Sequence, residues 1–268
     1  MGLRSTRARP CQGRPAQGAS ISDNAARQLI LALDFPDLSE SLKFLRKLRG
    51  RANLVKIGSQ LFTAEGPQAL RRIARLVPGI FLDLKFCDIP NTVAAAVRAA
   101  AELPGVRMMT LHTTGGLAMM QAARAALKGI RTPPMLLGVT LLTSLDEPDL
   151  ARIGLAGPFG DRVAALAAMA QFAGLDGVVA PARELQSLRK SLGKKMAFVV
   201  PGIRTIAPGH SSTSPRRDDQ AQIATPGNAI RWGADYLVVG RPITAAPDPV
   251  AAMDSILHDM QFALTYRQ

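Results

Sequence analysis

The stretch GIFLDLKF at residues 79–86, followed by TVAAAVRAAAEL at residues 92–103, carries the pattern that decides the fold. The first run is short and almost continuously apolar, which is typical of a strand in a parallel sheet that is buried on both faces. The second run has apolar residues at helical spacing. Together the two runs predict one βα unit.

The same pattern recurs along the chain, so that eight strands are predicted in all. The starts of the runs are separated by roughly 20 to 40 residues, the length of a βα unit. We therefore predict the α/β class and, within it, a (β/α)8 TIM barrel. An open doubly wound sheet is the alternative, but the first junction, DFPDLSES, lacks the G-x-G-x-x-G phosphate loop of that fold. The other seven runs are LILALDF (29–35), NLVKIG (53–58), VRMMTLH (106–112), PMLLGVTLL (134–142), GLDGVVA (174–180), KMAFVVPG (195–202) and ADYLVVG (234–240).

The domain organisation follows from length and composition. The chain has 268 residues, of which 47% are hydrophobic and 20% charged, enough apolar material for one large core. Residues 23–268 are predicted to form a single barrel domain. Residues 1–22 combine Arg, Gly, Pro, Gln and Ser and are predicted to be a disordered basic extension. An organellar transit peptide is less favoured because no amphipathic helix is evident.

The charge balance indicates an anionic partner. With 33 Lys and Arg against 20 Asp and Glu, the net charge is +13, which would attract nucleic acid, an acidic membrane surface or a phosphorylated small molecule. A nucleic-acid-binding protein is disfavoured because the cations alternate with apolar helical positions and aromatic residues make up only 4%. Cys11 and Cys87 cannot form a disulfide framework. Without an apolar segment long enough for a membrane span, we expect a cytoplasmic protein with no membrane partner.

The active site of a barrel forms where its strands end. The period of two places Asp83 and Lys85 on one strand face, and Lys56 and Asp88 are aimed at the same place. A lysine between carboxylates is suited to be a general acid, and an ionised aspartate destabilises an anionic group that leaves the substrate. A structural ion pair is the alternative. The polar residues that end the predicted strands are Asp34, Lys56, Asp83, Lys85, His112, Thr143, Ser144, Arg204, Gly240 and Arg241.

A phosphate site is predicted in the loops after the seventh and eighth strands, where barrels often bind phosphate. Its candidate residues are Arg204, Gln220, Gly240 and Arg241. We interpret His112 as a hydrogen-bonded structural residue rather than a catalytic one. No spacing of His, Cys, Asp or Glu matches a metal motif, so no metal is predicted.

These residues lie in motifs that resemble those of the bacterial orotidine 5'-phosphate decarboxylases. DLKFCDIPNTV is the most specific of them, and all occur in the order found in that family, from about residue 29 to 250. The motifs are LALDFPD (31–37), VKIG (55–58), DLKFCDIPNTV (83–93), VTLLTS (139–144), VPGIR (200–204), DDQAQIATP (218–226) and GADYLVVGRPIT (233–244).

The resemblance implies decarboxylation of orotidine 5'-monophosphate to uridine 5'-monophosphate in pyrimidine biosynthesis, with no cofactor. It implies that Lys85 protonates a C6 carbanion and that Asp83, Asp88 and Lys56 complete the catalytic array. It further implies a homodimer in which Asp88 and Thr92 reach into the partner's site. The implied substrate contacts are Asp34 and Lys56 for the ribose, Thr143 or Ser144 for the pyrimidine, Arg204, Gln220, Gly240 and Arg241 for the phosphate, and also Ile89 and Thr92.

A second enzyme of the same barrel superfamily remains an alternative. A hexulose-phosphate synthase shares the Asp-x-Lys-x-x-Asp pattern of residues 83–88 but requires magnesium. The runs IPNT at 89–92, GIR at 202–204 and DDQ at 218–220 favour the decarboxylase.

Overall fold

Eight parallel strands close into a barrel in a computed structural model that describes residues 23–204 and 224–266. The strands follow one another in chain order, and the last pairs with the first. The predicted (β/α)8 barrel is confirmed, and closure excludes the open doubly wound sheet. The strands are β1 (Leu29–Ala32), β2 (Leu54–Gly58), β3 (Gly79–Phe86), β4 (Val106–His112), β5 (Met135–Val139), β6 (Gly177–Val179), β7 (Ala197–Val200) and β8 (Tyr236–Val239).

Helices surround the strands, and aspartate or threonine side chains cap the first turns of four of the described helices. Asp37 accepts the backbone N–H of Glu40 at the start of the second helix, and Asp248 caps the last helix in the same way. No helix within the described ranges is long and apolar enough to cross a membrane. The helices are α1 (Asp23–Gln28), α2 (Leu38–Lys47), α3 (Ser59–Glu65), α4 (Pro67–Ile73), α5 (Pro90–Ala101), α6 (Leu117–Ala126), α7 (Glu147–Arg152), α8 (Phe159–Phe172), α9 (Leu185–Leu192), α10 (Pro226–Trp232), α11 (Arg241–Thr244) and α12 (Pro249–Thr265), with 3-10 turns at Thr113–Gly115 and Ala182–Glu184.

Two of the sequence predictions concern segments on which the structure gives no information. The predicted disordered extension, residues 1–22, lies outside the described residues, and so does the greater part of the long connection after β7, residues 205–223. The long connection after β5 is described, and it contains the additional helix α7.

The barrel interior is filled by alternate strand residues, and this alternation positions the site. One side of each strand contributes to an apolar cluster inside the barrel, while the other side packs against the helices. In four of these strands, the residue two positions further along the chain lies on the same inward side, and it is polar. The inward apolar residues of these strands are Ala32, Leu54, Phe81 and Met108, and the polar residues that follow them are Asp34, Lys56, Asp83 and Thr110. These four residues therefore form a polar layer directly above the apolar cluster inside the barrel.

At the opposite end of the barrel, arginine–aspartate pairs fix the starts of neighbouring strands. Asp235, just before β8, accepts the backbone N–H of Phe198 in β7 at 2.8 Å and a guanidinium N–H of Arg189 at 2.7 Å. The Arg189 guanidinium also lies 4.0 Å from the centre of the Phe198 ring. Its remaining hydrogen bonds go to the backbone carbonyls of Gly193, Met196 and Gly233. Arg189 thus joins α9, β7 and the segment before β8.

A similar but smaller arrangement lies before β6. Asp176 accepts the backbone N–H of Leu136 at 2.8 Å and one N–H of Arg124 at 2.9 Å. The Arg124 side chain is 39% exposed, against 19% for Arg189. Removal of Arg124 therefore leaves fewer buried groups without a partner.

We predict that Arg189→Ala lowers the free energy of unfolding by about 2–4 kcal/mol, because three backbone carbonyls lose their guanidinium donor and Asp235 loses its ion pair with Arg189. Arg124→Ala is the matched control and should cost only about 1 kcal/mol. Urea unfolding of both variants measures the difference. Equal losses would show that the hydrogen bonds of Arg189 do not stabilise the barrel.

Candidate active site

Asp83 lies at the centre of the polar layer. Its Oδ2 atom accepts a hydrogen bond from Lys85 Nζ at 2.8 Å and lies 3.9 Å from Lys56 Nζ. Its Oδ1 atom accepts the hydroxyl proton of Thr110 at 2.9 Å. Only 12% of the Asp83 side chain is exposed. A carboxylate so far removed from water needs these neighbouring donors and cations to remain charged.

Lys56 connects this centre to the rim of the barrel. Its ammonium lies 2.8 Å from Asp34 Oδ1, and the Asp34 side chain is 60% exposed at the end of β1. A Cβ atom at Gly58 would lie only 3.1 Å from Lys56 Nζ, so the glycine leaves space for the ammonium. The result is a charged series, Asp34, Lys56, Asp83 and Lys85, in which negative and positive charges alternate and the two middle members are the least exposed.

The backbone of β3 departs from a regular strand where it carries these charges. Leu82 pairs with Met109 and Phe86 with Leu111, so four steps along β3 match two steps along β4. Within this bulge Lys85 has a φ of 51°, in the left-handed region that residues with side chains rarely occupy. Asp83 and Lys85 are in contact, as the period of two suggested, but an irregular backbone brings them together.

A cavity of about 200 Å³ opens beside the charged series. Lys56, Asp83 and Lys85 line one side of it, and the remaining wall is mostly apolar. Thr143 also lines the cavity, whereas Ser144 is exposed and is not among the lining residues. One charged edge and one apolar wall suit a flat ring that carries an anionic substituent.

Three of the predicted site residues lie at the surface beside this cavity. Asp88, Ile89 and Thr92 are all exposed, and 66% of Ile89 is accessible. The Asp88 carboxylate accepts the backbone N–H of Ile89 at 2.6 Å. Within the described ranges it forms no ion pair, so a single protomer does not bring Asp88 into the charged series.

The predicted phosphate residues follow β7 and β8, which are neighbours in the barrel. The backbone N–H of Arg204 donates to the carbonyl of Ala224, which closes the base of the intervening loop. Gly240 precedes the short helix α11, and Arg241 is its exposed first residue. Gln220 lies outside the described residues. Arg204 and Arg241 therefore follow adjacent strands at the same end of the barrel as Lys85.

His112 ends β4 close to the two charged residues of β3. Burial lowers the pKa of His112 below its ordinary value of 6.5, the charge of Lys85 lowers it further, and Asp83 partly opposes both effects. We expected a hydrogen-bonded imidazole, but the contacts within residues 23–204 and 224–266 include no hydrogen bond to this ring. His112 is thus a half-buried neighbour of the charged series.

The structure adds Thr110 to the site, which the sequence argument did not single out. The sequence does contain an indication of this role. Thr110 is the polar residue inside the apolar part of VRMMTLH, and it shares a strand face with Met108 and His112. The described part of the chain holds no group of three or more His, Cys, Asp or Glu side chains placed to bind a metal ion.

A closed (β/α)8 barrel with a buried aspartate between two partly buried lysines at the C-terminal ends of its strands belongs to the class of barrel enzymes. Comparison with known proteins identifies the family. Residues 27–256 match the model of the orotidine 5'-phosphate decarboxylase / HUMPS family. The chain belongs to this family, as the sequence resemblance suggested.

Individual relatives agree with this assignment. The orotidine 5'-phosphate decarboxylase of Nitrosomonas europaea is 50% identical over 226 residues, which cover 84% of this chain and 94% of the relative. That of Nitrosococcus oceani is 47% identical and covers 85% and 95% respectively. The crystal structure of orotidine 5'-phosphate decarboxylase from Lactobacillus acidophilus aligns with a TM-score of 0.74 at 35% identity, over 87% of this chain and 99% of that one.

We predict that His112 makes the protein less stable as the solution becomes acidic. Between the lowered pKa of folded His112 and 6.5, the unfolded chain binds a proton that the folded protein does not bind. The free energy of unfolding should therefore fall as the pH decreases through 6.5, and His112→Asn should remove this component. Urea unfolding across this range measures it, with His258→Gln on the exposed side of α12 as the control. An unchanged pH dependence in His112→Asn would contradict the prediction.

Proposed function

We propose that this protein decarboxylates orotidine 5'-monophosphate to uridine 5'-monophosphate and CO2, as a cytoplasmic enzyme of de novo pyrimidine biosynthesis. The observation that carries the proposal is the alternating series of aspartates and lysines along one edge of the cavity. Such a series places a negatively charged group and a proton donor next to the same atom of a bound substrate. Family membership supports the same reaction.

The proposed chemistry assigns distinct roles to Asp83 and Lys85. Asp83 is placed to repel the substrate carboxylate, and this repulsion is relieved when CO2 leaves. The bond between C6 and the carboxylate breaks, and its electron pair stays on C6. Lys85 Nζ, held 2.8 Å from Asp83, then transfers a proton to C6. Lys56, on the other side of Asp83, supplies a second positive charge beside the Asp83 carboxylate.

Substrate binding is proposed to use the rest of the barrel mouth. Asp34 and Lys56 hold the ribose hydroxyls, and Thr143 or Ser144 contacts the pyrimidine. The phosphate interacts with Arg204, Gln220, Gly240 and Arg241, and no metal or cofactor takes part. Binding energy from a remote dianionic phosphate can offset the cost of placing the substrate carboxylate beside Asp83.

We predict that the purified protein converts orotidine 5'-monophosphate in the presence of EDTA. Lys85→Ala should lower kcat by about 100- to 10,000-fold because the proton donor is lost. Loss of substrate absorbance measures both rates, and Lys43→Ala on the exposed side of α2 is the control. Absence of turnover by the wild type would refute the decarboxylase. Activity on a sugar phosphate that EDTA abolishes would instead identify the magnesium-dependent alternative.

We further propose that the enzyme is a homodimer with shared active sites. Asp88 and Thr92 would extend from one protomer into the cavity of the other. Two observations support this: the Asp88 carboxylate has no cationic partner in the described part of its own chain, and the apolar side chain of Ile89 is exposed beside it. A second protomer would cover Ile89 and supply Lys85 to Asp88.

The shared site predicts complementation between two inactive variants. Lys85→Ala and Asp88→Asn should each retain no more than about one hundredth of the wild-type activity alone. When they are co-expressed, half of the dimers contain one chain of each kind, and each such dimer has one intact site. About a quarter of wild-type activity should then return. Sedimentation checks that each variant remains a dimer, and a co-expressed pair that stays inactive would contradict the shared site.

A further inference from the structure

We propose that the hydroxyl of Thr110 is a positioning group that holds both Asp83 and Lys85 in their reactive arrangement. This inference rests on the proposed function, since it concerns how the proton donor is placed. Thr110 does not line the cavity, so it would act on the substrate only through these two residues. It is therefore a positioning residue and not a catalytic one.

The hydrogen bonds of Thr110 have only one possible direction. The backbone N–H of Lys85 can only donate, and it lies 2.9 Å from Thr110 Oγ1, so the hydroxyl oxygen is the acceptor. The single hydroxyl proton is then directed to Asp83 Oδ1, also at 2.9 Å. Because Thr110 is completely buried, no water competes for either bond. One hydroxyl thus joins the backbone of the lysine to the side chain of the aspartate.

The position of Thr110 explains how β3 sustains its irregular backbone. Met109 and Leu111, on either side of Thr110, are the β4 residues that pair with Leu82 and Phe86 at the two ends of the bulge. Thr110 therefore lies opposite the bulge. Its hydroxyl accepts the N–H of Lys85, which has the left-handed φ of 51°. An otherwise unsatisfied buried N–H would make this conformation costly.

The same hydroxyl also decides which carboxylate oxygen faces the lysines. With Oδ1 bound to Thr110, the carboxylate cannot rotate freely, and Oδ2 is directed to Lys85 Nζ at 2.8 Å and Lys56 Nζ at 3.9 Å. Without the hydroxyl, the Asp83 carboxylate could rotate and the backbone of Lys85 could shift. Both movements affect the reacting groups, while Lys56 keeps its ion pair with Asp34 and the residues proposed to bind phosphate stay in place.

The test compares Thr110→Val, which has nearly the same shape without the hydroxyl, with Thr110→Ser, which retains it. We expect Thr110→Val to lower kcat for orotidine 5'-monophosphate by about 100-fold, as a small misplacement of reacting groups does. KM and the Kd for uridine 5'-monophosphate should change by less than about threefold, because Lys56 keeps its closer ion pair with Asp34 and the phosphate-binding residues are untouched. Thr110→Ser should restore kcat to within about tenfold of the wild type.

Thr113→Val is the matched control for loss of a buried threonine hydroxyl. Thr113 is also completely buried, and its hydroxyl donates to the backbone carbonyl of Val139 at 2.9 Å rather than to a charged residue. It should lower the thermal midpoint, as Thr110→Val does, but leave kcat near the wild-type value. Thr110→Cys, with a weak donor, is a second variant in case Thr110→Val does not fold, and its kcat should fall between those of the serine variant and Lys85→Ala.

The proposal is overturned if Thr110→Val reduces kcat no more than Thr113→Val does. It is equally overturned if the loss appears in KM alone, or if Thr110→Ser is no more active than Thr110→Val or Thr110→Cys. Failure of the wild-type protein to decarboxylate the substrate would refute the proposed function itself. That outcome is seen before any variant is compared, so the two failures are distinguishable.

Discussion

The burial of Asp83 is the constraint on which the other features of the site depend. A carboxylate that is 12% exposed is costly unless donors and cations replace the water that it has lost. Lys85 and Thr110 provide those hydrogen bonds, and Lys56 adds a second positive charge. The lysines are partly buried too, so each member of the group needs the others. Removal of either lysine would leave the remaining charges unbalanced in a poorly hydrated place, and removal of the Thr110 hydroxyl would leave Asp83 Oδ1 without its donor.

The apolar interior of the barrel, directly below these charged residues, makes such a group possible. The inward residues of the strands form an apolar cluster below the polar layer, and the cavity at the barrel mouth is lined by Lys56, Asp83 and Lys85. Electrostatic interactions are stronger where water is excluded, so the few charges here act more strongly on a bound substrate than they would at the surface. The alternation that stabilises the barrel is thus the same feature that aligns the reactive side chains.

The residues proposed to interact with the substrate come from different elements around the mouth of the barrel. The reacting groups come from β2 and β3, whereas Arg204 and Arg241 follow β7 and β8 on the other side of β1. Asp88 and Ile89, exposed at the start of α5, are left for a second protomer in the dimer that we propose. This separation allows binding of a remote phosphate to be coupled to chemistry at the ring.

The sequence by itself determined the fold and the rows of side chains in this protein. Eight apolar runs at βα spacing were enough to predict the closed barrel, because that pattern is local. The period of two predicted that Asp83 and Lys85 share one side of β3, but an irregular backbone brings them into contact. The bulge, the left-handed backbone of Lys85, the contacts of Thr110 and the isolation of Asp88 from its own protomer's lysines were decided by the tertiary structure alone. The physical reason is that strand register and hydrogen bonds between strands depend on residues 20 or more positions apart, and no local pattern specifies which of them will meet.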